Sequence, residues 1–437
     1  MKQLTAIIIP ALLTAHTLHA REKEAWSYSQ CVEYAREHNI DLRKSLLSEK
    51  SAELSLEEAK AQWTPTLDFA TGHAYANTPW GAGQGASPNA YNSSYSLSAG
   101  WTLYDGGVRT NTIKRGSLGA EQRRLETAQA MRTLETDILQ VYINLLYNRE
   151  AIGIYEEAEA LSRAQAERGK ALMESGRISR VDYSRLVSQH EQDLYESVNA
   201  RASYSTRLME LKQILELGID AGIEPDSVSW TDAEVLSTLP DISDSYSLAL
   251  DNDLVLKSYG LEREMAGLDT EIARAGAMPK ISVNASAGTG YMAPASTSFG
   301  TALTRNLSET IGLTLSVPIL DQKKTKTATA QARVREMDAD LDTEKRRTQL
   351  SQLVEGSYID TRAAQARFEA SLRQLESAQL TSDLTNEQFS LGYVDAIELM
   401  SAHNDLTEAR RSALQAKYMA MLGKKMIEYW RTATITL

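Results

Sequence analysis

The stretch YNSSYSLSAGWTLYDGG, residues 91–107, alternates in two-residue steps. Tyr91, Tyr95, Leu97, Ala99, Trp101 and Leu103 share one parity, while Ser94, Ser96, Ser98, Gly100 and Thr102 share the other. Successive side chains of a strand point to opposite faces, so this is a strand with one apolar face and one small, polar face. Three further stretches alternate in the same way. Leu67, Phe69 and Tyr75 oppose Asp68, Ala70 and Gly72, and Ile281, Val283 and Ala285 oppose Lys280, Ser282 and Asn284. Ile311, Leu313, Leu315 and Val317 oppose Thr310, Gly312, Thr314 and Ser316. The predicted strands cover about 66–76, 92–103, 280–288 and 309–318. Their connections, NTPWGAGQGASPNA and TGYMAPASTSFGTALTRN, carry the Gly, Pro, Asn and Ser of exposed loops.

Most of the remaining chain has the period of a helix. No Pro occurs between Gly107 and Ser175, which allows one helix of roughly 100 Å at about 1.5 Å per residue. Met131, Leu134, Ile138, Val141, Leu145, Asn148, Ile152 and Tyr155 fall at alternating three- and four-residue steps, the seam of a coiled coil. The stretch 322–390 has a sparser seam, with Leu341, Leu350, Val354, Phe368, Leu372 and Leu375 among Ala, Arg and Gln. Nothing in either stretch serves a globular core of ordinary thickness. The helices read as a shaft.

The chain is written twice. WTPTLDF around Pro65 matches AMPKISV around Pro279, each opening a strand after a helical stretch. WTLYDGG and VPILDQK each close a second strand, setting Asp105, Gly106 and Gly107 against Pro318-flanked Asp321 and its successors. ESGRISRVDYSRL and FSLGYVDAIELM set Gly176 against Gly392. The offset is 214 residues at the prolines and 216 at both the aspartates and the glycines. Landmarks that keep one separation over so long an interval mark a duplication. Each copy reads helix, strand, strand, very long helix, turn, long helix. The first copy is 21–215, with long helices over about 107–215. A linker follows at 216–243, and the second copy is 244–437, with long helices over about 322–430.

A soluble half-buried sheet also alternates. Four strands are too few to enclose a core, however, and their polar faces hold Ser, Thr, Gly and Asn with few charges. A transmembrane barrel strand needs about 9–11 residues, apolar toward lipid and polar toward a lumen. Tyr75, Trp80, Tyr91 and Trp101 lie near strand ends or loops, where interfacial aromatics are expected. An open sheet edge is not tolerated in lipid, so a barrel requires several chains to pool their strands.

Composition narrows the picture. MKQLTAIIIPALLTAHTLHA, residues 1–20, has the charged start, apolar middle and small final residue of a secretory signal. Its removal takes away Lys2 and makes a net charge of −12 one more negative, which disfavours nucleic acid as a partner. No later segment is apolar enough for a membrane-spanning helix. Cys31 is the only cysteine and excludes an internal disulfide; it reads as a small buried side chain on a helix. His38, His73, His190 and His403 remain after the signal, with no metal-ligand spacing, and each reads as packed or solvated. GAGQG at 81–85 opens no helix, and no phosphate-binding loop of the GxxxxGK[ST] type occurs, so neither an enzyme nor a self-powered transporter is expected. At the shaft's far end, Gly176 and Gly392 suit the left-handed residue that ends a helix. An acid lies six residues beyond each, Asp182 and Glu398, and on this evidence alone either is a solvated helix-start charge. Asp395 is a candidate N-cap for the second return helix.

In their order and spacing these landmarks resemble the TolC-like outer-membrane efflux channel family, over nearly all of the chain after its signal. The sequence departs from the family's Pro-Leu-Phe/Tyr-Asp-Gly-Gly pattern at Thr102, which replaces the Pro of copy one, and at Gln322 and Lys323, which replace both glycines of copy two. The resemblance implies a mainly α fold with a small β part: a long antiparallel α-helical coiled-coil barrel continued by a trimeric 12-stranded transmembrane β-barrel, four strands per chain, internally duplicated. It implies a homotrimer in the outer membrane of a Gram-negative bacterium, in contact with outer-membrane lipid and with a large periplasmic extension. The linker would form part of a belt around the tunnel. Asp182 and Glu398 would line the periplasmic mouth, where six carboxylates repel one another and concentrate cations. Arg185 and Ser401 stand where a second acidic ring would lie. Arg177, Arg180 and Arg185 would latch neighbouring coils, and the turns 172–186 and 388–402 would meet a periplasmic adaptor serving an inner-membrane pump of RND, ABC or MFS type. No cofactor or metal is implied. The alternative is an exported coiled-coil stalk or scaffold, which explains the shaft but not four strands of matched parity.

Overall fold

The computed structural model describes residues 24–78, 89–293 and 297–437. The signal segment 1–20, Trp80 and the 81–85 glycines lie outside the described residues. Copy one runs β1 (Glu24–Trp26), α1 (Tyr28–His38), α2 (Ile40–Ala61), β2 (Thr66–Asn77), β3 (Asn89–Tyr104), α3 (Val108–Glu174) and α4 (Arg180–Ile214). A joining segment holds β4 (Ile223–Pro225) and α5 (Asp232–Val235). Copy two runs α6 (Ile242–Asn252), α7 (Leu254–Ala275), β5 (Lys280–Ala293), α8 (Phe299–Arg305), β6 (Ser308–Ser316), α9 (Lys324–Leu391) and α10 (Ala396–Thr432). Among the described residues no helix is long and apolar enough to cross a membrane.

The duplication extends to the caps. Where one helix was expected before each strand pair, the chain makes two, because a capping side chain interrupts the helix. Asn39 ends α1 and caps α2 by accepting from the Leu42 N–H at 3.0 Å. Asp253 does the same between α6 and α7, accepting from the Leu256 N–H at 2.5 Å. A capping side chain satisfies an N–H that the first turn leaves without a partner. Each cap also ties the joint to a distant element. The Asn39 amide donates to the Ile214 carbonyl at 3.0 Å, and the Asp253 carboxylate takes a two-pronged contact from Arg346 at 3.2 and 2.5 Å.

The long helices α3 and α9, of 67 and 68 residues, are continuous, as expected. Their middle is thicker than a bare seam. Leu134, Ile138, Leu139, Tyr142, Ile143, Leu145 and Leu146 of α3 are buried with Tyr28, Cys31, Val32 and Ala35 of α1, Leu211 of α4 and Tyr418 of α10. The run LQVYINLLY is apolar on too many sides for one stripe, and α1 covers the excess. Copy two repeats this core with Leu350, Val354 and Tyr358 of α9, Ala249 of α6 and Ile427 of α10. Each fully buried Leu or Ile contributes about 2 kcal/mol. The shaft therefore has a waist with a true core. The tyrosines match as well: the Tyr142 hydroxyl donates to the Trp26 carbonyl at 2.9 Å, and Tyr358 to the Asp241 carbonyl at 3.3 Å, each just ahead of a short helix. The three-residue parallel pair β1–β4 ties the start of copy one to the joining segment.

The four long strands form one antiparallel sheet in the order β2-β3-β5-β6. The registry lines like faces up across it. Leu67, Ala99, Ala285 and Ile311 make one row, and Asp68, Ser98, Ser286 and Thr310 the next. The apolar face is bare in the single chain, with Phe69 67%, Leu97 44% and Leu313 70% exposed. Between Thr102 and Tyr104 the registry shifts, and Tyr104 pairs with Ile281; a bulge there bends the strand as it leaves for the helix. β3 and β5 run longer than the alternation alone suggested, because Asn89–Tyr91 and Thr289–Ala293 go on pairing beyond it. β6 stops at Ser316, two residues short of Pro318, which has no N–H to give a ladder.

Candidate functional site at the two ends of the shaft

At the sheet end, Pro65 and Pro279 each stand immediately before a strand, and Asp105 and Asp321 each stand before a long helix. The Asp105 carboxylate accepts from the N–H groups of Gly107 at 3.1 Å and Arg109 at 2.9 Å. Asp321 accepts from the Thr325 N–H at 2.8 Å, the same four-residue reach. Hydrogen bonds from Thr325, side chain first and then backbone, hold the Asp321 carboxyl below the usual carboxylate range. Gly106 and Gly107 have φ of +72° and +92°, and Gln322 and Lys323 hold the same left-handed turn at +55° and +66°. The missing glycines of copy two therefore leave the corner's geometry intact.

Arg109 was missed by sequence reasoning, since an Arg in a charged helix carries no periodic signal. It is 4% exposed, donates to the carbonyls of Gln62 at 3.1 Å and Thr102 at 2.9 Å, and lies 3.7 Å over the Trp63 ring. It thus pins the end of α2, the end of β3 and the start of α3 together. Beside it the polar face of the sheet opens into a cleft of about 1010 Å³, lined in part by Thr66, Gly100, Thr102, Ser282, Asn284 and Ser316. Hydroxyls and an amide on one wall make that cleft water-compatible, while the opposite face of the same strands is apolar.

At the far end both turns have one construction. Gly176 and Gly392 have φ of +75° and +84°. The Arg177 N–H reaches the Leu172 carbonyl at 2.8 Å, and the Tyr393 N–H reaches the Gln388 carbonyl at 3.0 Å, the long bond of a left-handed helix cap. Ser179 then caps α4 and Asp395 caps α10, which makes Asp182 and Glu398 the third residue of their helices. Asp182 is partly engaged: Ser179 Oγ donates to it at 2.7 Å, and Arg185 lies 3.2 Å away on the same helix. Glu398 is exposed and has no ion pair among the described residues. Arg177 crosses to the other copy, where its guanidinium lies 3.5 Å from the Leu391 carbonyl at the C-terminus of α9. Arg180 forms no ion pair among the described residues. A plug of Leu186, Phe389, Ala396 and Leu399 packs the two turns together, and Leu391, Tyr393 and Ile397 remain exposed at the tip.

A sheet apolar on one side and hydroxylated on the other, run on into a long helical shaft, has the build of an outer-membrane channel subunit. The family follows from comparison: the model of the outer membrane efflux protein family matches residues 31–216 and again 245–421, and the chain belongs to that family. The outer membrane protein TolC of Salmonella enteritidis is 21% identical over 439 residues, covering 98% of this chain and 86% of its own. The protein CyaE of Bordetella pertussis is 24% identical over 415 residues, covering 90% and 82%. Solved structures share the fold. CusC matches with a TM-score of 0.79 at 15% identity over 97% of this chain and 98% of its own. VceC of Vibrio cholerae matches with a TM-score of 0.77 at 15% identity over 92% and 96%.

Proposed function

We propose that three copies of this chain form a passive exit duct through the outer membrane and periplasm, for efflux of small toxic compounds or for type I secretion. The observation that carries this reading is the open sheet. β2 and β6 each keep an unpaired edge, and the face toward lipid is bare. Lipid tolerates neither edge, so β6 of one copy pairs with β2 of the next until the ring closes. Three copies, the number the family resemblance implies, make twelve strands. The hydroxylated face then lines the lumen and α3, α4, α9 and α10 continue its wall. Asp182 and Glu398 narrow the periplasmic mouth and select cations. The exposed Leu391, Tyr393 and Ile397, with the turn backbones around them, suit a periplasmic adaptor, and an inner-membrane pump supplies the energy. The choice of solute belongs to that pump.

The test starts from detergent-extracted outer membranes. Heat-resistant trimers that conduct in planar bilayers are expected, and the Asp182→Ala, Glu398→Ala double variant should lose cation selectivity and block by divalent ions. A non-conducting monomer recovered from the soluble periplasmic fraction would instead identify a stalk. Unchanged selectivity in the double variant would remove these two acids from the mouth.

A further inference from the structure

Where the sheet gives way to the shaft, the two copies carry different side chains at equivalent positions. Copy one places Trp63, Trp101 and Tyr104 there, each about half exposed, and the Trp101 ring N–H donates to the Trp63 carbonyl at 2.9 Å. Such rings are the usual anchors at a boundary between lipid and water. The offsets of 214 and 216 residues set Ala277, Val317 and Leu320 in their places, so copy two has none of these rings at its corner. Instead Lys323, Lys324 and Lys326 stand where copy one has Gly107, Val108 and Thr110. All three lysines are exposed, and none forms an ion pair among the described residues. Asp321, the acid of this corner, is taken up by the Thr325 N–H at 2.8 Å.

These lysines do not serve the fold. A cation in the first turn of a helix opposes the backbone dipole, and α9 carries Lys324 and Lys326 there with no acid in that turn to offset them. Lys323 in addition holds a φ of +66°, where copy one has a glycine. Beside them Ile319 and Leu320 are each 93% exposed and continue the apolar face of β6 toward the shaft. Closing the ring leaves them open: Leu103 and Tyr104, their equivalents, stay 40% and 47% exposed with β5 already alongside.

We propose that this corner is a docking site for an anionic phospholipid, once in each chain of the trimer. Ile319 and Leu320 enter the acyl region, and Lys323, Lys324 and Lys326 take the headgroup phosphate. Continuity with the lipid-facing side of the sheet makes the partner a lipid, and the unpaired lysines set its charge. Depth follows from order along the chain: the strand's apolar face ends at Val317, the two bare side chains follow, and the lysines come next. Copy one therefore grips the boundary with rings and copy two with charge. The leaflet rests on the duct reading, in which the shaft end of the sheet faces the periplasm.

The test reconstitutes the full-length protein in phosphatidylcholine bilayers carrying a trace of spin-labelled phosphatidylglycerol or spin-labelled phosphatidylcholine. The fraction of each lipid held immobile against the protein is then compared. A lysine close to an anionic headgroup is worth about fivefold in association, so the parent should hold phosphatidylglycerol several-fold more than phosphatidylcholine. Lys323→Gln, Lys324→Gln and Lys326→Gln together should abolish that preference, and raised salt should weaken it in the parent. The same triple variant should melt higher than the parent in neutral detergent, because cations leave a helix start, so a folding defect cannot mimic the loss. Tyr104→Leu, at the aromatic corner, should leave the preference unchanged. Equal retention of the two lipids by the parent overturns the proposal. So does a preference that survives the triple variant, or one that Tyr104→Leu removes. A protein that conducts without preferring either lipid fails only here; one that neither inserts nor conducts refutes the duct and this site with it.

Discussion

At the end of β3 the chain enters its long helix through Gly106 and Gly107; at the end of β6 it enters through Gln322 and Lys323 with the same left-handed backbone. What the two corners share is an Asp that accepts from the N–H four residues on, Arg109 in one copy and Thr325 in the other. The carboxylate, and not the glycines, is thus the common determinant of the turn; glycine only relieves strain. The corners differ in reinforcement. In copy one a Cβ on Gly106 would lie 2.6 Å from Met278 Cβ, and Arg109 clamps three elements, whereas in copy two the turn residues Gln322 and Lys323 are exposed and a Thr stands at the clamp position. One corner is locked and the other held lightly.

The largest expected difference is at the clamp. Arg109→Ala strips charged hydrogen bonds from the carbonyls of Gln62, Thr102 and Leu103 and removes the stacking on Trp63, a loss of about 3 kcal/mol. Thr325→Ala should cost no more than about 1 kcal/mol. Thermal unfolding of the two detergent-solubilised variants checks this, and equal losses would erase the distinction between the corners. A smaller effect comes from exchanging the turn residues. Gln322→Gly with Lys323→Gly relieves two left-handed non-glycine residues and should stabilise by about 1 kcal/mol. Gly106→Ala adds both a left-handed strain and the clash with Met278 and should destabilise. The same melts decide it: a loss in the first variant or a gain in the second would break the comparison.

The sheet was legible because a period of two runs through every strand: Leu67, Phe69, Leu97, Leu313 and Leu315 all fall on the face the structure leaves bare. The shaft was legible because a helix of this length can hide neither Pro nor a change of period. The waist was not, because its evidence is local. Leu139, Tyr142, Ile143 and Leu146 sit beside the seam, and only α1 folding back explains why they are apolar. Nor were the breaks at Asn39 and Asp253 visible, since a cap inside a charged helical stretch changes neither period nor composition. At the far turns the glycines announced themselves by spacing, while Asp182 and Glu398 were visible only as acids six residues further on. Asp193 and His403, whose side chains meet at 2.8 Å, were invisible as a pair, 210 residues apart on helices that only the fold brings together.

The sidedness of the sheet is the claim on which the duct stands, and it can be read directly in a bilayer. Spin labels placed singly at Leu97, Leu313, Ser96 and Thr314 are compared for access to oxygen, which concentrates in hydrocarbon, and to a water-soluble nickel chelate. Oxygen should dominate at Leu97 and Leu313 and the chelate at Ser96 and Thr314. The reverse pattern, or the chelate dominating at all four, would contradict a channel wall built from these strands.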